Sequence, residues 1–156
     1  MIVQMKKLLL SIFILLCFNP SAYSNDFATH LLSKTKALKN IAYGSHPQQA
    51  MDVYFPTQPL TDKTPAPLIV MVHGGAWIIG DKNKAAVVKN KMDYWNKQGW
   101  VFISINYRLV PDATLQQQTQ DIAEALIYIQ NQAPNWHADS KRLVLMGHSA
   151  GAHLVS

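Results

Sequence analysis

Leu143-Val144-Leu145-Met146-Gly147-His148-Ser149-Ala150-Gly151 is an apolar run that ends in Gly-x-Ser-x-Gly. A buried strand that leads at once into this pentapeptide is a strand-to-helix turn tight enough to carry a serine hydroxyl at its tip. The helix backbone has to pass close to the strand, so a side chain at Gly147 or Gly151 would clash and glycine is the residue that fits. Ser149 is therefore the candidate catalytic nucleophile.

About 75 residues upstream, Leu68-Ile69-Val70-Met71-Val72 reads as a second buried strand and runs directly into His73-Gly74-Gly75-Ala76-Trp77. Acyl transfer through a serine needs donors aimed at the oxygen that becomes negative, and open backbone N–H groups in a glycine loop supply them. Further along stand Gly80-Asp81-Lys82, then Asn106-Tyr107-Arg108-Leu109-Val110-Pro111, then Asp139-Ser140-Lys141-Arg142-Leu143 leading into the pentapeptide. In this order and spacing, the chain from about residue 48 to 156 resembles the N-terminal half of the α/β-hydrolase esterase/lipase group with HGGxW and GxSxG motifs, BD-FAE/carboxylesterase-like.

The resemblance implies an α/β-hydrolase fold, a mostly parallel sheet covered by helices, truncated at its C-terminal end. It implies Ser149 as nucleophile, the N–H groups of Gly75, Ala76 and Ala150 as the oxyanion hole, and His73, Gly74, Trp77, Gly147 and Gly151 as the residues that shape the two loops. The family's acid and histidine follow the nucleophile in chain order, so both are expected beyond residue 156. The implied substrate is a small-molecule ester, and neither metal nor organic cofactor is called for. Three other readings stay open: an arylformamidase-like amide hydrolase, a prolyl-oligopeptidase-type peptidase, and a truncated, non-catalytic product. The peptidases usually carry another glycine where Ala152 stands.

Composition agrees with an exported globular protein. Of the 156 residues, 49% are apolar and 15% charged, which supports a core and excludes a disordered chain. Lys6 and Lys7 precede an apolar stretch from Leu8 to Phe18; Asn19-Pro20 breaks it, and Ala22-Tyr23-Ser24 offers small residues for cleavage before Asn25. Residues 1–24 thus read as a signal peptide and 25–156 as the N-terminal portion of one domain. The stretch falls short of the roughly 18 to 20 apolar residues that span a bilayer, so no stable membrane association is expected once it is removed. Cys17, the single cysteine, lies inside it, and bulky Leu15 and Leu16 argue against a lipid anchor there. The formal charge of +5 becomes +3 without Lys6 and Lys7, with 12 basic residues against 9 acidic, too mild for nucleic-acid binding.

Between the motifs, residues 26–46 carry only a weakly helical signal. Residues 50–55 alternate as an early edge strand, 85–97 read as an amphipathic helix ending at Gly99, and 100–105 as a third strong strand. Residues 114–132 read as a helix whose apolar face is Leu115, Ile122, Leu126 and Ile129, closed by Pro134. His148 and His153 flank the serine, and packing is the favoured reading for both. The six histidines show no HExxH spacing, so no metal site is expected. Lys82, Lys84, Lys89 and Lys91 read as a solvated helix face, and Gln116-Gln117-Gln118 with Gln120 as a short biased run. Trp77 is open between an acyl-pocket wall and packing.

The export reading has a direct check. N-terminal sequencing of protein recovered from the periplasm or medium should begin at Asn25; intact Met1 in the membrane fraction would mean an anchor instead.

Overall fold

Seven successive residues of β3 (Ala66–Val72) are buried, which is what an unbroken apolar run demands of a strand covered on both faces. The computed structural model describes residues 36–60 and 63–156; the signal-peptide segment 1–24 lies outside them. The described residues form β1 (Ala37–Ala42), β2 (Ala50–Tyr54), β3, α1 (Ala85–Lys97), β4 (Val101–Ile105), α2 (Leu115–Gln132), a 3₁₀ turn (Ala133–Trp136), β5 (Ala138–Gly147) and α3 (Ala150–Leu154). The sheet order is β1-β2-β4-β3-β5. β3 lies between two parallel partners, with Leu68 opposite Val101 and Leu143, and Val72 opposite Ile105 and Gly147. The two motif loops therefore leave adjacent strands at the same carboxyl end of the sheet, where ligands bind in such folds.

β2 runs antiparallel to β4 and β1 antiparallel to β2, so the sheet is mixed, with parallel strands β4, β3 and β5 together. Two expectations are corrected here. Residues 50–55 do not make an edge strand: β2 is paired on both sides, and the edge is β1, in the stretch that read as weakly helical. β1 escapes pattern reading because it is irregular. Its register shifts between Leu38 and Ile41, and Asn40 sits at φ 55, so its side chains do not alternate cleanly.

The helices end for local reasons. α1 closes in a Schellman motif: Gly99 takes φ 82, its N–H donates to the Asn96 carbonyl, and the Trp100 N–H reaches back to Trp95. α1 then covers one face of the sheet, where Val88 joins Ile69, Met71 and Phe102, with Trp95, Trp100 and Met146 packed against them. α2 begins with a capping box, in which Thr114 accepts from the Gln117 N–H while the Gln117 side chain accepts from the Thr114 N–H. Its buried stripe differs from the expected one. Leu115 is 41% exposed, and the stripe runs through Gln118, Asp121, Ile122, Ala125 and Ile129. Pro134 does not stop the chain's turning, because the 3₁₀ turn continues from α2.

Lys82 is a further correction, since it belongs to no solvated face. It is 2% exposed, and its Nζ lies 2.8 Å from Asp52 Oδ1. Asp52, fully buried, also accepts from the Asn40 N–H at 2.9 Å and from Lys39 Nζ at 3.0 Å. Burial alone would raise the Asp52 carboxyl, but the bonds from Lys82, Asn40 and Lys39 outweigh it and hold it below its ordinary value. A carboxyl held low in the folded state stabilises the protein above its unfolded value, near 3.9, and that contribution fades as pH falls through the lower folded value. Asp52→Asn should therefore destabilise by about 3–5 kcal/mol at pH 7, because Lys82 is left as a buried, unpaired cation. Denaturant unfolding between pH 7 and 2 should show a smaller acid-dependent loss in the variant than in the parent.

Candidate active site

The turn after β5 carries its serine in an unusual backbone conformation. Ser149 has φ 53 and ψ −121 and is exposed, while Ala150 and Gly151 behind it are buried. Few L residues hold such angles unless their surroundings over-determine them. Here the surroundings are backbone. The His148 N–H donates to the Val72 carbonyl at 3.1 Å, extending the β3–β5 ladder into the turn, and the Ala152 and His153 N–H groups return to the Ser149 carbonyl. At Gly151 an added Cβ would stand 2.4 Å from the Val72 oxygen and 2.5 Å from the His73 oxygen.

The loop after β3 lies against this turn. A Cβ on Gly74 would stand 2.8 Å from the Ser149 Cβ and 2.5 Å from the His148 oxygen, so glycine at 74 is what lets the two loops touch. Gly75 (φ 137), Ala76 (φ 50) and Trp77 (φ 65) then take three successive positive φ values, and the Ile78 and Ile79 N–H groups close the turn onto the Gly75 carbonyl. Among the described residues, no acceptor takes the N–H of Ala76 or Ala150.

His73 is fixed under this loop. Its ring stacks on Tyr107 with centroids 4.6 Å apart, and its Nδ1–H donates to the Gly74 carbonyl at 2.9 Å. The Tyr107 hydroxyl donates to the His73 carbonyl at 2.9 Å, and burial pushes that hydroxyl up to about 12. Burial also pulls the His73 imidazole below its ordinary value, only partly opposed by the bond to Gly74, so the ring is neutral at pH 7. With Nδ1 engaged and Nε2 buried with no partner among the described residues, neither nitrogen of His73 bonds the serine hydroxyl.

The two neighbouring histidines depart from the packing expected of them. His148 is exposed beside Gly74, and His153 is exposed with its ring edge-on to Trp77 at 5.5 Å. Trp77 is half-buried; its carbonyl accepts from the Val110 N–H and from Gln118 Nε2, both at 3.0 Å, and its buried Nε1 has no partner among the described residues. Behind the loop, fully buried Asp121 accepts from the Arg108 backbone N–H and guanidinium and from Gln49 Nε2. Gln118 and Asp121 went unrecognised in the sequence. The signal was there: two polar residues stand on the stripe shared with Ile122, Ala125 and Ile129. Among the described residues, no group of three metal-ligating side chains forms, and no helix is long and apolar enough to cross a membrane.

Residues 51–156 match the family model described as BD-FAE. The chain is 31% identical over 121 residues to a probable isoprenylcysteine alpha-carbonyl methylesterase ICME of Oryza sativa subsp. japonica, covering 78% of this chain and 28% of that protein. It is 30% identical to Esterase LipC of Mycobacterium tuberculosis, covering 74% of this chain and 28% of that protein. The structure of Esterase B from Lactobacillus rhamnosis is similar with a TM-score of 0.67 and 29% identity, covering 85% of this chain and 42% of that one. The chain thus spans between a quarter and a third of the length of these two curated relatives.

Two substitutions probe the loop contact. Gly151→Ala should cost about 1–3 kcal/mol, since the atoms it meets are backbone and cannot swing aside. Ala76→Gly should change stability by less than about 0.5 kcal/mol, because relief of a left-handed residue offsets the added freedom of the unfolded chain. Urea unfolding of both variants checks the contrast.

Proposed function

Because the chain belongs to the BD-FAE family of α/β-hydrolase esterases, we propose that it acts in hydrolysing carboxylic esters through an acyl-enzyme on Ser149. The observation that carries this reading is the contact between the two loops: Gly74 lies against an exposed serine held at φ 53. In the proposed reaction the Ser149 oxygen attacks the ester carbonyl carbon, and the carbonyl oxygen, now negative, takes the N–H groups of Gly75, Ala76 and Ala150. Collapse of the tetrahedral adduct breaks the bond to the alcohol oxygen, which leaves with the proton taken from Ser149. Water then attacks the acyl-enzyme and restores the serine.

Both proton transfers need a base within about 3 Å of the serine oxygen. Of the histidines near it, His73 is bound to Gly74 and His153 lies on Trp77. We assign the base and its orienting carboxylate to residues outside these 156, as the order of motifs in the family implies. A small ester met after export fits the signal-peptide reading, and the reaction as written needs no cofactor.

Where the enzyme is complete with its base, Ser149→Ala should lower turnover of a short-chain p-nitrophenyl ester by about 10⁶-fold, while His153→Gln costs far less. Equal losses in two folded variants would make His153 a catalytic residue. The 156-residue chain alone should not be titrated by a fluorophosphonate probe, since a serine without its base is an unreactive hydroxyl. Intact mass counts the label, and full single-site labelling at Ser149 would place a base within these residues, with His73, His148 and His153 the ones to mutate.

A further inference from the structure

Gln118 is a fully buried amide on the apolar stripe of α2, and its one bond among the described residues runs to the loop beside Ser149. Its Nε2 donates to the Trp77 carbonyl at 3.0 Å, while its Oε1 is buried with no partner among the described residues. Reversing the amide would set two carbonyl oxygens face to face, so the donating end is the one that meets Trp77. A buried acceptor left bare is destabilising. An apolar side chain of the same length would avoid that penalty, so the amide needs an explanation beyond filling space.

That explanation lies in how rigid peptide units couple along the turn. The Trp77 carbonyl and the Ile78 N–H belong to one planar unit, so a donor that holds the carbonyl also fixes the direction of the N–H opposite. The Ile78 N–H donates to the Gly75 carbonyl at 3.2 Å. The Gly75 carbonyl in turn shares its plane with the Ala76 N–H, one of the three donors assigned to the oxyanion. Gln118 is thus linked to that donor through two peptide planes and two hydrogen bonds. Ala76 and Trp77 each carry a Cβ at positive φ, a strained conformation that relaxes unless held. The second donor to the Trp77 carbonyl, the Val110 N–H, comes from the loop that leads into α2. One anchor therefore reaches the turn from the segment between β4 and α2, and the other from the first turns of α2 itself.

We propose that Gln118 is a positioning residue for the serine chemistry: by holding the Trp77 carbonyl, it aims the Ala76 N–H at the developing oxyanion. This rests on the esterase reading above, and its test separates the two. In the full 156-residue chain, Gln118→Met keeps the length of the side chain and removes the donor. Hydrogen exchange should lose about tenfold protection at the Ile78 amide, while amides of β3 and β4 stay unchanged. Unchanged protection at Ile78 overturns the proposal. Gln118→Glu adds a signature that a space-filling role would not produce: protonated, its carboxyl donates to Trp77; ionised, it repels the same carbonyl. Protection at Ile78, corrected for the intrinsic rate, should be near the parent's at pH 5 and lost at pH 8. Should Gln118→Met fail to fold, this pH dependence decides, and a flat ratio overturns the proposal. In the catalytically complete enzyme, Gln118→Met should lower kcat by about 10- to 100-fold with KM within about twofold. A raised KM at unchanged kcat overturns the role in catalysis. Failure of the esterase reading itself looks different, since the parent would then lack turnover while Ile78 exchange still responds.

Discussion

Where β3 ends and α3 begins, the backbone of one element sits almost on the other: a single methyl at Gly151 would stand 2.4 Å from the Val72 carbonyl oxygen. Everything around Ser149 depends on that approach. It places the first turn of α3 directly over the end of β3, and it puts Gly74, two residues past Val72, against the Ser149 Cβ. Because β3 and β5 are parallel neighbours in register, Val72 opposite Gly147, both loops start from the same level of the sheet. Two glycine-rich loops far apart in the chain become one surface through strand pairing and the absence of side chains where they cross.

The carbonyls of the loop after β3 are held from behind by residues that touch no substrate in the proposed mechanism. Tyr107 donates to the His73 carbonyl, and Val110 and Gln118 donate to the Trp77 carbonyl. The segment that supplies them is itself tied down at Asp121, which takes the Arg108 backbone and guanidinium. A buried carboxylate that receives several charge-assisted bonds is costly to disturb. The Asp121 cluster therefore fixes the chain between β4 and α2, and that chain fixes the loop. The Lys82–Asp52 pair plays the corresponding part at the next strand: the Ser104 hydroxyl and Asn106 side chain bind the backbone of Lys82, carrying the outgoing end of the same loop back to the sheet.

The elements that position the serine were legible in the sequence because each is set by a local rule. An unbroken apolar run is a strand buried on both faces, and glycine after a helix is a left-handed cap. α1 was read to the residue, and α2 within one position of its start. β1 was not, since Ala37-Leu38-Lys39-Asn40-Ile41-Ala42 has neither strict alternation nor an unbroken apolar run, and it becomes a strand only by pairing with β2.

Local sequence carries the residues of the proposed chemistry: a serine between two glycines, a glycine loop after an apolar run, and strands that bring both to one end of a sheet. Which polar side chains leave water is set by the assembled fold. Lys82 stood in a run of lysines and Gln118 in a run of glutamines; its place on the stripe with Ile122, Ala125 and Ile129 marks Gln118, but no local stretch names the partner of either. Their burial depends on partners 30 and 41 positions away, Asp52 and Trp77. A polar group is stable inside a protein only when such a partner meets it there. That meeting is a property of strands and helices already assembled, so it is absent from any local stretch of sequence.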